Sequence, residues 1–153
     1  MEFVVNEWLP EYFRHDASDE EKEKLKKFLN KFMVEKDKLF VRKGSEFLRK
    51  IHRYKKDYQY NIKVYNEIGK FIDNILRDSD RCFFVDDDEF ELPDTIIDKL
   101  TKGGNTISDK YLFEAAIMTT TKTIITTDVK LKTFMIDEKT FTIKLLDDFL
   151  MNY

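Results

Sequence analysis

Two acids in one short run carry the clearest chemical signal. The segment SDKYLFEAAIMTTTKTIITTD, from Ser108 to Asp128, sets Asp109 in the first turn of one element and Asp128 just after another. From Tyr111 to Met118 nearly every side chain is apolar on all faces of a helical period, the mark of a helix buried inside a larger body. Thr123 to Thr126 is β-branched without alternation, as a central parallel strand covered on both faces requires. Ligands collect outside the carboxyl ends of strands in open α/β sheets, so an acid after the strand and another opening the preceding helix can converge on one cleft. Each acid also has a structural reading: Thr106 and Asp109 fit a capping box, and Asp128 fits as the cap of a helix begun by Val129.

A second chemistry is written between Arg42 and Lys56, where seven basic residues stand against one acid, Glu46. Within it, Arg49, Lys50 and Arg53 suit contacts to phosphates, and Tyr54, Tyr58 and Tyr60 suit stacking on bases. A solvated helix face is the plain alternative. Other groups invite less. His15 and His52 have no second histidine or cysteine at metal spacing and read as surface groups. Cys82 is the only cysteine, which excludes an intramolecular disulfide, and beside Phe83 and Phe84 it reads as a buried strand residue. The run Asp86 to Glu89 lacks the spaced ligands and central glycine of a calcium loop and reads as a solvated strand end.

These residues must be positioned by regular elements, and the chain supplies them in alternation. Strands are expected at 2–6, 38–42, 81–85, 123–126 and 141–144. Helices are expected at 8–13, from a Ser18-x-x-Glu21 capping box to about Glu35, from Glu46 onward, as one long helix over 60–76, from Asp94 to Thr101 with Pro93 in the first turn, over 130–135, and over 147–153. Five strands separated by helices predict an α/β chain with a parallel sheet covered on both faces, a three-layer α/β/α sandwich.

The run D109-x-x-L-F-E-A-A followed by I-T-T-D128 resembles the C-terminal half of the PIN domain, a Rossmann-like family of metal-dependent nucleases, and FVVN-E-W-L resembles its opening. The resemblance spans essentially the whole chain and implies the strand order 3-2-1-4-5. It implies four site positions sharing one cleft: Asn6, Glu46, Asp109 and Asp128. A cluster of oxygen ligands suits Mg²⁺ or Mn²⁺, which keep waters for phosphate and nucleophile. The implied activity is endoribonucleolytic hydrolysis of RNA, and the small members of the family include toxins of toxin–antitoxin pairs, commonly dimeric. Hence RNA, an antitoxin-like protein and a second copy are the expected partners. The departure from the pattern is Asn6, which stands where the family has its first metal-binding aspartate. Glu7 is acidic but one place further on, and strand alternation points its side chain away from the position of Asn6. A weakened, PIN-like scaffold acting through RNA or protein contacts is therefore the alternative.

At 153 residues and 42% hydrophobic composition, one core and one domain are expected. A formal charge of −3 gives no global attraction to nucleic acid, so any such contact has to come from a local patch. No apolar run is long enough to span a bilayer, and the opening residues lack the pattern of a secretion signal, so the expected location is cytoplasmic.

Overall fold

The computed structural model describes residues 1–153, apart from the side chains at positions 104 and 105. Five strands, β1 (Glu2–Val5), β2 (Lys38–Arg42), β3 (Cys82–Val85), β4 (Thr123–Thr126) and β5 (Thr142–Leu145), form one sheet ordered β3-β2-β1-β4-β5. Every neighbouring pair is parallel. Eight α-helices accompany them: α1 (Trp8–Tyr12), α2 (Asp19–Glu35), α3 (Glu46–Asp57), α4 (Ile62–Phe71), α5 (Asp94–Lys102), α6 (Lys110–Ala116), α7 (Val129–Phe134) and α8 (Leu146–Asn152).

The pleat divides the strand side chains between two cores. Phe3, Val5, Leu39, Val41 and Ile125 pack with residues of α1 to α4 and α8. Val4, Phe40 and Ile124 face the other way, against α5, α6 and α7. This is the three-layer α/β sandwich, and it explains why β1, β2 and β4 read as unbroken apolar runs. Edge strands are wetter: Thr142 and Lys144 of β5 are exposed, which discourages further pairing. The first core is aromatic. Phe3 meets Phe28, Phe32 and Phe149 edge-on with ring centroids 5.6–6.0 Å apart, a geometry that suits the ring quadrupoles.

Local signals account for most boundaries. Ser18 and Glu21 form the expected capping box, with Glu21 N–H donating to Ser18 Oγ at 3.1 Å and Ser18 N–H to Glu21 Oε2 at 2.8 Å. Five expectations need correction. The helix expected over 60–76 starts at Ile62, capped by Asn61, and changes at Ile72–Leu76 into a wider π turn. Pro93 caps α5 instead of lying inside it. Strand β5 and helix α8 each start or end one residue from the expected places. Thr106 and Asp109 make no capping box, because Gly104–Asp109 is a 3-10 turn and Thr106 Oγ1 donates to the carbonyl of Leu100 at 2.9 Å. Among the described residues no helix is long and apolar enough to cross a membrane.

Candidate functional site

With β1 between β2 and β4, the residues that follow three neighbouring strands share the carboxyl edge of the sheet. Each is set by its own local device. Beyond β1, Asn6 continues the pairing, its N–H donating to the carbonyl of Ile125. Beyond β2, Ser45 caps α3 through Leu48 N–H and leaves Glu46 in the first helical turn. Beyond β4, Asp128 caps α7, its Oδ1 accepting from Leu131 N–H at 3.0 Å. Asp109 comes from above: α6 packs across β1, β2 and β4, burying Leu112, Phe113, Ala115 and Ala116, and so fixes the residue at its start over the same edge.

The acids are close enough to act on one another. Burial, then the negative charges of Glu7 and Asp128, push the Asp109 carboxyl up to about 6. The Tyr111 phenol is raised still further by burial, and after it by Glu7, Asp109 and Glu46. Glu7 and Asp128 thus act on Asp109, and Glu7, Asp109 and Glu46 act on Tyr111. The buried Tyr111 hydroxyl lies beside Glu7 without reaching hydrogen-bonding geometry to it or to any other described group.

Glu7 is the site residue that strand alternation misplaced. Strand β1 ends at Val5, and Glu7 adopts a helical conformation (φ −66°, ψ −4°) as the cap of α1, so the two-residue period no longer decides where its side chain goes. The available clue was Asn6 itself, a residue type that favours turns and helix starts. Asn6, for its part, is committed inward. It is 8% exposed; its Nδ2 donates to Thr126 Oγ1 at 2.7 Å and its Oδ1 accepts from Trp8 N–H at 3.3 Å. The same Thr126 oxygen accepts from Asp128 N–H at 3.0 Å, so Asn6 holds the turn that presents Asp128.

Glu46 is engaged by Arg49, Nε to Oε2 at 3.0 Å. Among the described residues no three Asp, Glu, His or Cys side chains meet closely enough to cage a metal ion.

The basic run is less positive in space than in sequence. Arg42 is paired with Glu114 and Asp87, Lys43 with Asp86 at 2.7 Å, and Lys50 with Glu11 at 2.7 Å. Arg49 is 68% exposed at its side chain beyond the Glu46 contact, and Arg53 lies 5.3 Å from the centre of the Tyr54 ring. Of the three tyrosines expected to stack on bases, Tyr54 is in the core with its hydroxyl donating to Glu11, while Tyr60 is 91% exposed. The Asp86 to Glu89 run is a solvated loop, as expected. No family model, curated protein or solved structure matches this chain.

Proposed function

We propose that this chain is a metal-dependent endoribonuclease of the PIN type, hydrolysing RNA phosphodiester bonds with Mg²⁺ or Mn²⁺. The observation that carries the reading is Asp109, partly buried over the carboxyl edge of the sheet: burial first, and then the charges of Glu7 and Asp128, push its carboxyl up to about 6, and among the described residues no cation opposes them. A partly buried carboxylate surrounded by like charge gains most from a counter-ion. Among the described residues no three ligands meet, so any ion would be held by one or two carboxylates, Asp109 and Asp128 first, and completed by water and substrate oxygens, as Mg²⁺ commonly is. When bound, such an ion supplies a water of lowered pKa and neutralises charge on the phosphate.

The residues then divide the work. Asp109 and Asp128 would hold the ion, with Glu46 alongside, and Glu7 would contribute the negative charge that Asn6 lacks. Asn6 positions Asp128 through Thr126. Arg49, exposed beside Glu46, is placed to exchange that partner for a phosphate. A toxin of a toxin–antitoxin pair is the narrower form of this proposal, tested by growth arrest on expression.

The decisive experiment is cleavage of single-stranded RNA with Mn²⁺, with Mg²⁺ and with chelator, by the native chain and by Asp109→Asn and Asp128→Asn. Cleavage that needs the ion and is lost in both variants supports the reading. Cleavage that survives in both, or none under any condition, overturns it. A second reading, a scaffold that binds RNA without cutting it, is favoured by one observation: the Asn6 amide is used on both its oxygen and its nitrogen within the fold. RNA binding without cleavage would select it.

A further inference from the structure

Helices α2 and α4 do not close on each other: between them lies a groove of about 860 Å³ that shares no residue with the carboxylate cleft. Its floor is apolar, built from Leu29 and Met33 on one side and Val64 and Phe71 on the other, with Met33 still 39% exposed. The π turn after α4 widens the helix and lines the far wall with Asn74 and Ile75; such turns recur at functional sites. Asn30 faces the groove from α2. Asn30 and Asn74 are exposed, and an amide both donates and accepts, as a peptide backbone requires.

Charge decides the occupant. Four lysines, Lys22, Lys26, Lys63 and Lys70, rim the groove against two glutamates, Glu23 and Glu67, on a chain whose net charge is −3. The paired lysines of α2 are different ones, Lys24 with Glu20 and Asp147, and Lys31 with Glu35. Among the described residues none of the four rim lysines has a carboxylate partner; Lys22 donates only to the carbonyl of His15. Unpaired ammonium groups around an apolar floor select a ligand with apolar side chains flanked by carboxylates.

We propose that the groove between α2 and α4 binds an acidic, amphipathic peptide segment of a partner protein. Leucine- or phenylalanine-like side chains of that segment enter the floor, its Asp and Glu meet the lysine rim, and Asn30 and Asn74 bracket its backbone. This does not depend on the nuclease reading, since the two sites have separate residues.

Selection from a random peptide display library on the immobilised full chain tests it. Recovered peptides are expected to carry net negative charge with interspersed large apolar residues. They should bind about tenfold or more weakly to the double variant Lys26→Glu, Lys63→Glu, and weaken as salt is raised. Both lysines are exposed, so the variant keeps its fold, which circular dichroism melts verify; Met33→Ser, which makes the floor polar and leaves the lysine rim intact, gives a second probe and should also lose binding. Peptides that are basic, that bind all variants equally, or that cannot be recovered at all overturn the proposal. So does light scattering that finds the chain dimeric and the double variant monomeric, which makes the occupant a second copy.

Discussion

Two partly buried acids, Glu11 and Asp109, show opposite solutions to the same problem. Burial alone would raise both. At Glu11 it is outweighed: Lys50 Nζ at 2.7 Å, the Tyr54 hydroxyl at 2.7 Å and Arg14 at 3.2 Å donate to the carboxylate, and its pKa falls below the ordinary 4.5. At Asp109 no described group opposes burial, and Glu7 and Asp128 add to it. Glu11 is therefore neutralised within the fold, whereas among the described residues Asp109 has no cation against it. The difference is the physical ground for reading a structural pair at Glu11 and for proposing an ion site at Asp109.

The largest way to break the comparison is to neutralise each acid in turn. Asp109→Asn should reduce metal-dependent RNA cleavage by about 10²-fold or more. It should also stabilise the metal-free chain at pH 7 by about 1 kcal/mol in urea melts, after allowing for solvent screening. Glu11→Gln should do the reverse, leaving cleavage intact and costing about 1 kcal/mol, because Lys50 and Tyr54 lose a charged partner. Equal behaviour of the two variants would erase the distinction.

The pH dependence sharpens it. A depressed carboxyl such as Glu11 stabilises above its ordinary 4.5 and loses that contribution as pH falls through its folded value. Its partner Lys50, raised above 10.5, loses its contribution only as pH rises through its own folded value. Asp109 has the opposite sign: its folded value, about 6, lies above the ordinary 3.8, so the native state holds the proton more tightly and stability declines as pH rises from about 4 to beyond 6. Saturating Mn²⁺ should remove that decline. A melt series with and without the ion measures it, and a decline unchanged by Mn²⁺ would count against ion binding at Asp109.

Asn6 and Glu7 give a smaller, paired effect. Asn6→Asp should tighten Mn²⁺ binding by a few-fold up to tenfold and lower metal-free stability by about 1 kcal/mol, since a fifth negative charge joins the cluster and the donor to Thr126 is lost. Glu7→Gln should weaken Mn²⁺ by a similar factor. Calorimetric titration of the two variants and their combination decides whether Glu7 supplies the charge that Asn6 does not; if Glu7→Gln leaves affinity unchanged, it does not.

The smallest effect concerns the basic helix. Removing Arg49 and Arg53 together should flatten the salt dependence of RNA binding by a slope of about 1 to 2, one increment for each phosphate no longer neutralised. Lys50→Ala should leave the slope alone and reduce stability, because its charge already belongs to Glu11.

By itself the sequence determined the layers. Apolar runs in β1, β2 and β4, the capping box at Ser18, and the cap at Asp128 are local patterns read at periods of two and of 3.6, and they are where the patterning put them. It also carried Asp109 and Asp128 to one edge, since helix and strand are adjacent along the chain. What only the tertiary structure decided is which charges find one another. Glu11 lies 39 positions from Lys50 and Arg42 lies 72 from Glu114, and no local period relates such pairs. That is why, within a run of seven basic residues, Arg42, Lys43 and Lys50 stand against carboxylates from distant parts of the chain. Glu7 turned toward Asp109 for a related reason: the strand stopped two residues earlier, and the side chain of a residue in a turn is aimed by the packing of the next helix.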